Sequence, residues 1–418
     1  RLCKPDVDIN ALKELMVFGW AAGKMSNYKN IEEVSPGSMI KIDLKSGKLK
    51  EDKYFDLMKI SKENNFINED VIENQINKSI LDHTISDVGY TLQLSGGLDS
   101  SYISAICSKE KKVKLKAFSI NFNEEKFDEA KYQEMISQKF NLDLYMNKFS
   151  GKDYVDELPK AIESMEGPTP HGGCVAIKFL SKKISKFCKV TLTGEGADEL
   201  FGGYNRYSQW RSLAFKETVS RLLPNFLVPS IYPFKKIKQF IGVNAACYSS
   251  VYFDYKQIWN SMPEMFPVPG EREKVSSNFE DFLTRLSFVD QTSYLSSVLT
   301  RQDKMSMSHS IESRVPFTHI PLSKLFNQIP NNQRYQVNNS KNLLKKFSKK
   351  YFEDDFIYRR KNGLVMPYEK WYSDNQLFGD FFNLLENSSS KIKEYCDEKR
   401  FNNLLTNSRK DIKKNLGL

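Results

Sequence analysis

Hydrophobic and polar positions follow one pattern near the start of the chain and another after residue 90. Apolar side chains alternate with polar ones over positions 39–44, and a turn signal follows at 46–47, which predicts a small β-hairpin. The next stretch, 61–70, is polar and reads as a linker, and isoleucines then recur at helical spacing between 72 and 80. We therefore place a domain boundary near residue 65.

After residue 90, short apolar runs alternate with helical patterns. The predicted strands are 91–94, 115–122, 142–149 and 189–193, and the predicted helices are 100–108, 128–140, 155–165 and 175–187. On the second of these helices, Tyr132, Met135 and Ile136 are predicted to share one face. Such alternation is typical of an α/β fold with a doubly wound parallel sheet, in which helices cover both faces.

Beyond Tyr204 the chain changes to long helical patterns rich in Phe, Leu and Lys, with interruptions at Pro224, Pro229 and Pro233. We expect an α-helical C-terminal half that packs on the sheet and ends in a polar helical tail over 381–418. Ligands of parallel sheets bind beyond the carboxyl ends of the strands. The segments that directly follow the predicted strands are therefore the first places to look for chemistry.

The composition excludes several classes of protein. With 418 residues the chain can form one large or two ordinary domains, and no apolar run reaches the length of a membrane span. No signal peptide opens the sequence, so we expect a cytoplasmic protein without a membrane partner. The six cysteines lack ligand spacing and only four histidines occur, which disfavours a zinc site and indicates reduced, mostly buried thiols.

The net charge of +10 has more than one interpretation. A basic chain is compatible with a nucleic-acid partner, a membrane surface or an anionic substrate. In this chain the lysines are spread through predicted helices among glutamates, a pattern that favours solvated helix faces. We therefore predict no nucleic-acid partner.

The sequence LQLSGGLDSS at 92–101 ends a predicted strand in a glycine-rich turn and opens a helix. Glycines let backbone N–H groups surround an anion, and the helix N-terminus adds its positive end, so this turn predicts a phosphate site. It lacks the GxxxxGKS/T pattern whose lysine holds a γ-phosphate, which disfavours ordinary γ-phosphoryl transfer. The hydroxyls suit a pyrophosphate that leaves as a unit, with Asp99 placed to hold its Mg²⁺.

A second glycine-rich turn, TGEGADELFGGY at 193–204, also follows a predicted strand directly. It contains the three carboxylates Glu195, Asp198 and Glu199, which repel one another unless a metal ion or a cationic ligand is present. We therefore predict a functional role for Glu195 and Asp198. Glu199 has either such a functional role or a structural role as the cap of the following helix.

These two segments resemble the ATP-pyrophosphatase (PP-loop) synthetase domain of the asparagine synthetase family. Further segments that are similar to that family are FSINF, FDEAKYQ, GPTPHGG, VLTRQDKMSMSHSIESRVPF and RRKNGLVMPYEKW. The N-terminal sequence NIEEVSPGSMIKIDLKSGKLKEDKYFDL resembles the final hairpin of the family's glutaminase domain. The resemblance covers residues 30 to about 371.

The resemblance implies that ATP is split to AMP and pyrophosphate while a carboxylate, that of aspartate above all, becomes an acyl-adenylate. Ammonia then attacks and gives an amide, which for aspartate is asparagine. Asp99 and Asp198 are implied as Mg²⁺ ligands, Glu195 as the carboxylate for the adenylate step and for proton transfer, and Lys361 as the lysine that faces the departing phosphates. The implied ATP-binding residues are Leu94, Ser95, Gly96, Gly97, Asp99, Ser100, Ser101, Ile120, Thr193 and Gly194.

The resemblance also divides the chain. Residues 1–60 are expected to be a remnant of the C-terminal end of an Ntn-type glutaminase domain, and 66–380 the synthetase domain. Cys3 is interpreted as an ordinary thiol, so either the chain is a fragment that lacks its glutaminase domain, or ammonia is free or comes from a separate glutaminase subunit. Because the chain begins with Arg1, we expect upstream sequence to be missing. A homodimer is left open.

Other matches and departures leave alternatives open. Asp303, Glu312 and Arg314 match family positions, but a buried supporting network explains them equally well. His171 and His309 are interpreted as structural.

Two departures from the family concern the substrate. Thr318-His319 stands where the family has Leu-Asp, and the family's Trp/Leu-rich terminal helix is not evident. A second interpretation is therefore an amidotransferase that acts on a surface-sugar or secondary-metabolite acid. A third is a PP-loop RNA-modifying enzyme, for which the positive charge is a phosphate-binding surface. The motif GEGADELFGGY and the lack of a compact basic module argue against the third.

Overall fold

The fold is that of a computed structural model, which describes residues 6–60, 65–110, 114–169, 171–222, 244–248, 270–359, 366–387, 391–395 and 397–410. Within these residues seven strands form two sheets. The strands are β1 (Ser38–Ile42), β2 (Leu49–Lys53), β3 (Tyr90–Gln93), β4 (Lys116–Asn121), β5 (Asp143–Lys148), β6 (Val190–Leu192) and β7 (Glu312–Arg314).

The described α-helices surround these strands. In chain order they are α1 (Ile9–Phe18), α2 (Leu57–Ile60), α3 (Glu69–Asp82), α4 (Leu98–Glu110), α5 (Ala130–Lys139), α6 (Gly151–Met165), α7 (Gly173–Ile184), α8 (Ala197–Phe201), α9 (Asn205–Ser208), α10 (Trp210–Leu222), α11 (Ala245–Tyr248), α12 (Glu271–Ser276), α13 (Phe282–Val289), α14 (Leu295–Met307), α15 (Ile320–Gln328), α16 (Asn331–Arg334), α17 (Asn342–Ser348), α18 (Asp354–Ile357), α19 (Tyr368–Tyr372), α20 (Asn375–Glu386) and α21 (Glu398–Lys410). A π-helical turn, Asp290–Tyr294, joins α13 to α14.

The hairpin and the first helix of the predicted synthetase part are confirmed. β1 and β2 pair antiparallel, and Gly47 in their turn has a left-handed backbone (φ +67°). Helix α3 carries Ile72, Ile76 and Ile80 on one face, and all three are completely buried. The helical spacing of the isoleucines therefore identified the face that packs into the core.

The larger sheet has the strand order β5-β4-β3-β6-β7, and all five strands run parallel. The chain passes outward from β3 to β4 and β5, and then returns to place β6 on the other side of β3. Parallel sheets bind ligands at the carboxyl ends of their strands where the strand order reverses in this way. The turns after β3 and β6, which contain the two glycine-rich motifs, therefore leave the sheet next to each other.

Helices cover both faces of this sheet. Ala117 of β4 packs in a core cluster with residues of α3 and α4, whereas its neighbour Phe118 packs with Leu180 and Ile184 of α7. Because successive strand residues point to opposite faces, these contacts place helices on both sides. The predicted α/β class with a parallel sheet is confirmed.

Strand β7 was not predicted, because the sequence beyond Tyr204 reads as helical throughout. β7 pairs with β6 in parallel, with Thr191 opposite Ser313, and it forms the edge of the sheet. Only three residues long, β7 is too short to show the alternation that marks a strand in a sequence.

The buried face of α5 is not the face that the apolar residues Tyr132, Met135 and Ile136 share. Met135 is exposed, whereas Gln133 is buried. The Gln133 side chain donates a hydrogen bond to the carbonyl of Ile120 and accepts one from the Asn121 side chain. Polar partners at the end of β4 therefore decide which residue of this helix turns inward.

Helix α1 packs against the far end of the chain. Its residue Glu14 forms a buried ion pair with Arg272 at 2.5 Å, and the Arg272 guanidinium lies over the rings of Phe18 and Trp20. Phe401 of α21 belongs to the same core cluster as Phe18 and Trp20. Residues on both sides of the boundary predicted near residue 65 thus share one cluster.

The described residues bear on the expectations about membrane spans and about the cysteines. None of their helices is long and apolar enough to cross a membrane. Of the four cysteines that they contain, Cys107, Cys174 and Cys247 are buried, as predicted.

Candidate active site

The turn between β3 and α4 holds its serines in a local hydrogen-bond network. Ser95 Oγ lies 3.0 Å from Ser100 Oγ and accepts a hydrogen bond from the Gly97 backbone N–H. Gly96 adopts a left-handed backbone (φ +79°), which residues with a side chain rarely adopt. Ser101 Oγ is buried without a hydrogen-bond partner in the described part of the chain. The turn is therefore closed and rich in hydroxyls at the start of a helix, as a phosphate site requires.

The turn between β6 and α8 lies directly against the first turn. A Cβ added to Gly194 would lie 3.0 Å from both the Cβ of Asp99 and the backbone nitrogen of Ser100. Gly196 has φ +83° and precedes α8 as its N-cap. Close approach of the two turns thus depends on glycine at 194, because even a methyl group there crowds the other turn.

Asp99 and Asp198, one from each turn, converge on a single cation. Lys341 Nζ lies 2.7 Å from both carboxylate oxygens of Asp99 and 2.6 Å from Oδ1 of Asp198. Burial alone would lower the pKa of Lys341, but the carboxylates of Asp198 and Asp99 outweigh it and raise the pKa. The lysine is therefore held as an ammonium ion between the two predicted metal ligands.

Lys341 is not among the site residues predicted from the sequence. It stands directly before α17 and far from both motifs along the chain, and it has an unusual left-handed backbone for a lysine (φ +54°). In the sequence it occurs within the run SKNLLKKFSKK, where a lysine reads as solvated. The sequence offered only an indirect signal. Two crowded acidic residues require a cation, but the sequence does not show which basic residue supplies it.

Asp99 and Asp198 fit a magnesium ion by their chemistry. Both provide carboxylate oxygens, which this hard cation prefers. Oxygens of both residues lie 2.6–2.7 Å from the same cationic atom, Lys341 Nζ, so they can share one ion. No group of three or more His, Cys, Asp or Glu side chains with metal-site geometry occurs among the described residues. Two carboxylates are nevertheless sufficient for Mg²⁺ when substrate phosphates complete its coordination.

Glu195 forms an ion pair with Arg301 of α14. Arg301 Nη2 donates to Glu195 Oε1 at 2.6 Å, and the arginine side chain is 11% exposed against 28% for the glutamate. Arg301 Nε is buried without a hydrogen-bond partner in the described part of the chain. The pair leaves Glu195 open to solvent at one side, with a guanidinium behind it that fixes its orientation.

Glu199 does not cap α8. Its side chain is buried and accepts a hydrogen bond of 2.6 Å from Tyr204 Oη. Burial, and next the neighbouring carboxylate of Asp198, raise the pKa of Glu199 to about 8. At neutral pH this third carboxyl group is therefore largely neutral, which removes one of the repulsions that the motif implies.

The remaining predicted ATP-binding residues lie at the carboxyl ends of the central strands. Thr193 follows β6, its backbone N–H donates to the Arg314 carbonyl, and it is buried. Leu94 is buried in the core and accepts a hydrogen bond from Ser119 Oγ at its carbonyl, and Ile120 is half-buried. The assignment of Leu94, Ile120 and Thr193 to an adenosine site stays a prediction.

Lys361 lies outside the described residues. Arg359, two positions before it, contacts the first turn directly: Nη2 donates to the Gly96 carbonyl at 2.8 Å and to the Glu129 carboxylate at 2.6 Å. The Arg359 guanidinium also lies 3.6 Å from the ring centre of Tyr132. Arg359 is thus anchored on the predicted phosphate turn, a contact that the sequence pattern does not indicate.

The structure identifies contacts of Arg314, Glu312 and His171, which the sequence left open or interpreted as structural. Arg314 Nη1 donates to the carbonyls of His83 and Ile85, and Nε pairs with Glu312, so these contacts hold β7 against the segment before β3. His171 is buried, with Nε2 at 3.2 Å from Ser297 Oγ.

The titration of His171 agrees with a structural interpretation. Burial, and next the charge of Arg301, lower its pKa to about 3. The imidazole is therefore neutral at physiological pH and packs between the rings of Trp20 and Tyr294.

Comparison with known proteins adds independent information. The family model for asparagine synthase matches residues 71–416. Asparagine synthetase (glutamine-hydrolyzing) 1 of Bacillus subtilis is 27% identical over 386 residues, which cover 88% of this chain and 60% of the relative. Asparagine synthetase (glutamine-hydrolyzing) 3 of the same organism is 28% identical, over 68% of this chain and 46% of the relative.

A fungal protein is also similar. Amidase chry2 of Gibberella zeae is 23% identical over 68% of this chain and 50% of its own length. The chain thus spans about half to three fifths of the length of these curated relatives.

Proposed function

Because the chain belongs to the asparagine synthase family, we propose that it is an ATP-dependent amide ligase that adenylates a carboxylic acid and transfers the acyl group to ammonia. One observation carries the proposal: the glycine-rich turns after β3 and β6 touch, and Asp99 and Asp198 converge from them on one cation. A nucleotide bound across the two turns has hydroxyls, helix N-termini and a paired carboxylate site within reach.

The proposed reaction has two steps. A carboxylate oxygen of the substrate attacks the α-phosphorus of ATP, the bond to the β-phosphate breaks, and pyrophosphate leaves. Ammonia then attacks the acyl carbon, the bond to the AMP oxygen breaks, and the amide, AMP and a proton are released. The first step needs a cation near the phosphates, and the second needs a proton acceptor near the attacking ammonia.

The chain supplies groups for both steps. Ser95, Gly96, Gly97, Ser100 and Ser101 bind the phosphates of ATP, and Leu94, Ile120, Thr193 and Gly194 contact its adenosine. Asp99 and Asp198 hold Mg²⁺, which neutralises phosphate charge when it is bound. Glu195, oriented by Arg301, accepts the proton from ammonia. Lys361 faces the leaving pyrophosphate as a second positive charge.

We further propose aspartate as the carboxylic acid, with β-aspartyl-AMP as the intermediate and asparagine as the product. The two Bacillus subtilis relatives carry the name asparagine synthetase (glutamine-hydrolyzing). Ammonia is the proposed nitrogen donor, the protein works in the cytoplasm, and its partners are small molecules rather than nucleic acid. A homodimer remains compatible with this proposal.

The second candidate function is that of a related amidotransferase that uses another carboxylate. One observation supports this candidate. Thr318, which departs from the family pattern, lies against the second turn: a Cβ on Gly196 would approach its Cγ2 to 2.6 Å. The departure is therefore at the site and not on a remote surface, where it would say nothing about the substrate. Similarity to the fungal amidase is compatible with this second candidate.

The decisive experiment is exchange of labelled pyrophosphate into ATP with Mg²⁺ and a panel of carboxylic acids, followed by addition of ammonia or glutamine. We expect exchange with aspartate and formation of asparagine. Exchange with a different acid supports the second candidate. Turnover of ATP that requires tRNA, with a steep salt dependence, overturns both.

Three variants test the site in the same assay. Asp198→Asn and Lys361→Ala should each lower the exchange rate at least about 100-fold, because the first removes a proposed Mg²⁺ ligand and the second removes a positive charge proposed to face the phosphates. Asp82→Asn removes a carboxylate whose partner is Lys78 on the surface of α3, and it is the matched control. Unchanged exchange in Lys361→Ala would remove that residue from the mechanism.

A further inference from the structure

We propose that Lys341 makes metal binding at Asp99 and Asp198 depend on nucleotide, because its ammonium group lies between these two carboxylates and is displaced toward the phosphates when ATP binds. This inference rests on the proposed function, since it takes the same two carboxylates as the metal ligands. It assigns a role to a residue that neither glycine-rich motif contains.

The contacts of Lys341 show that it occupies the position between the carboxylates rather than flanking it. Its Nζ is within 2.7 Å of both Asp99 oxygens and within 2.6 Å of Asp198 Oδ1. The side chain is 11% exposed, so solvent does not screen these charges fully. Gly203 allows the approach, because a Cβ at that position would overlap both Asp198 Oδ1 and Lys341 Cε.

The charges decide the order in which ligands enter. Two carboxylates and one ammonium sum to one negative charge, whereas the same groups with a divalent ion sum to one positive charge in a largely buried place. The metal ion and the ammonium group also compete for the same carboxylate oxygens. Metal binding without nucleotide is therefore weakened by repulsion from the ammonium group. A polyphosphate that binds together with the metal offers new anionic oxygens to the lysine, so the ammonium group no longer opposes metal binding.

The side chain is suited to such a displacement. A lysine ends in a compact charge on a flexible four-carbon stem, so Nζ can move while the backbone stays in place. The backbone of Lys341 stands at the start of α17, and Leu343 and Leu344 of that helix are buried in the core cluster of the sheet. The helix therefore provides a fixed base from which only the side chain needs to move.

The experiment measures metal binding directly, with Mn²⁺ as the probe and its electron paramagnetic resonance signal as the readout. Binding is measured with and without α,β-methylene-ATP, for the wild type and for Lys341→Met. In the wild type we expect the nucleotide to tighten Mn²⁺ binding at least about tenfold. In Lys341→Met we expect Mn²⁺ without nucleotide to bind about tenfold more tightly than in the wild type, and the effect of nucleotide to shrink.

Two further variants serve as controls. Lys346→Met removes the same charge from an exposed lysine of α17 that pairs with Glu69, and it should leave Mn²⁺ binding unchanged. Lys341→Arg keeps the positive charge and should preserve the dependence on nucleotide. The wild-type measurement tests the proposal even if Lys341→Met does not fold, since equal Mn²⁺ affinity with and without nucleotide overturns it.

The outcomes separate this inference from the proposed function. If the wild type binds no nucleotide with the metal and exchanges no pyrophosphate, the proposed function fails. If exchange occurs and Lys341→Met folds but binds Mn²⁺ as the wild type does, only the role of Lys341 is wrong. In that case the lysine is a structural tie between the two turns.

Discussion

Arg301 donates a hydrogen bond of 2.6 Å to the carboxylate of Glu195, although 106 positions separate the two residues in the chain. Burial alone would lower the pKa of Arg301, but the Glu195 carboxylate outweighs it and raises the pKa. The arginine thus stays charged and holds in one orientation the glutamate that we propose as the proton acceptor.

This pair predicts different effects on ATP binding and on amide formation. Glu195→Gln keeps the size of the side chain and removes its charge, so amide formation should fall about 10² to 10³-fold because the proton acceptor is lost. The affinity for ATP, measured by equilibrium binding, should change less than about threefold. Glu312→Gln is the matched control, because Glu312 also pairs with an arginine but is exposed. Equal losses in ATP binding and amide formation would contradict the assignment.

The contact between the two turns predicts that Gly194 tolerates no side chain. In Gly194→Ala the new methyl group lies 3.0 Å from the Asp99 Cβ and the Ser100 nitrogen, so one turn must move. We expect a stability loss of about 1–3 kcal/mol and a raised KM for ATP. Gly89→Ala is the control, because nothing lies within 4 Å of its added Cβ. Equal KM values for the two variants would show that the turns need not touch.

The buried ion pair between Glu14 and Arg272 predicts that α1 is part of the folded unit. Glu14→Gln leaves the Arg272 guanidinium buried without its counter-charge, and we expect a loss of about 3–5 kcal/mol in urea unfolding. Asp82→Asn breaks an exposed pair with Lys78 and should leave the urea midpoint unchanged. An unchanged midpoint in Glu14→Gln would mean that α1 unfolds independently of the transition measured.

The buried, neutral His171 predicts that acid destabilises the fold through this residue. Its folded pKa of about 3 lies below the ordinary value of 6.5, so the unfolded chain takes up a proton that the folded one excludes. Stability from this group is complete above pH 6.5 and falls as the pH is lowered toward 3. Between pH 6.5 and pH 5 the loss should be about 2 kcal/mol.

The measurement for His171 is urea unfolding at several pH values for the wild type and His171→Asn. The asparagine does not titrate, so the difference in unfolding free energy between the two proteins should shrink as the pH falls from 6.5 to 5. Parallel pH profiles would indicate that the imidazole is protonated in the folded state as well.

Much of the α/β part was predictable because its signals are local. The strands, the helices between them and the glycine-rich turns are each encoded within ten to fifteen neighbouring residues, and the parallel order follows from their alternation. The local pattern does not identify the buried face of α5, because a nonlocal partner contributes to it. Met135 is exposed and Gln133 is buried, and Gln133 forms hydrogen bonds with the end of β4.

The sequence by itself determined that Asp99 and Asp198 follow two apolar strands in glycine-rich turns, which is enough to predict an anion site at the carboxyl edge of a parallel sheet. Only the tertiary structure decided what these acids meet. Lys341 and Arg301 reach the site from helices more than a hundred residues away along the chain. Charge pairing depends on distance in space, and a single sequence records only distance along the chain.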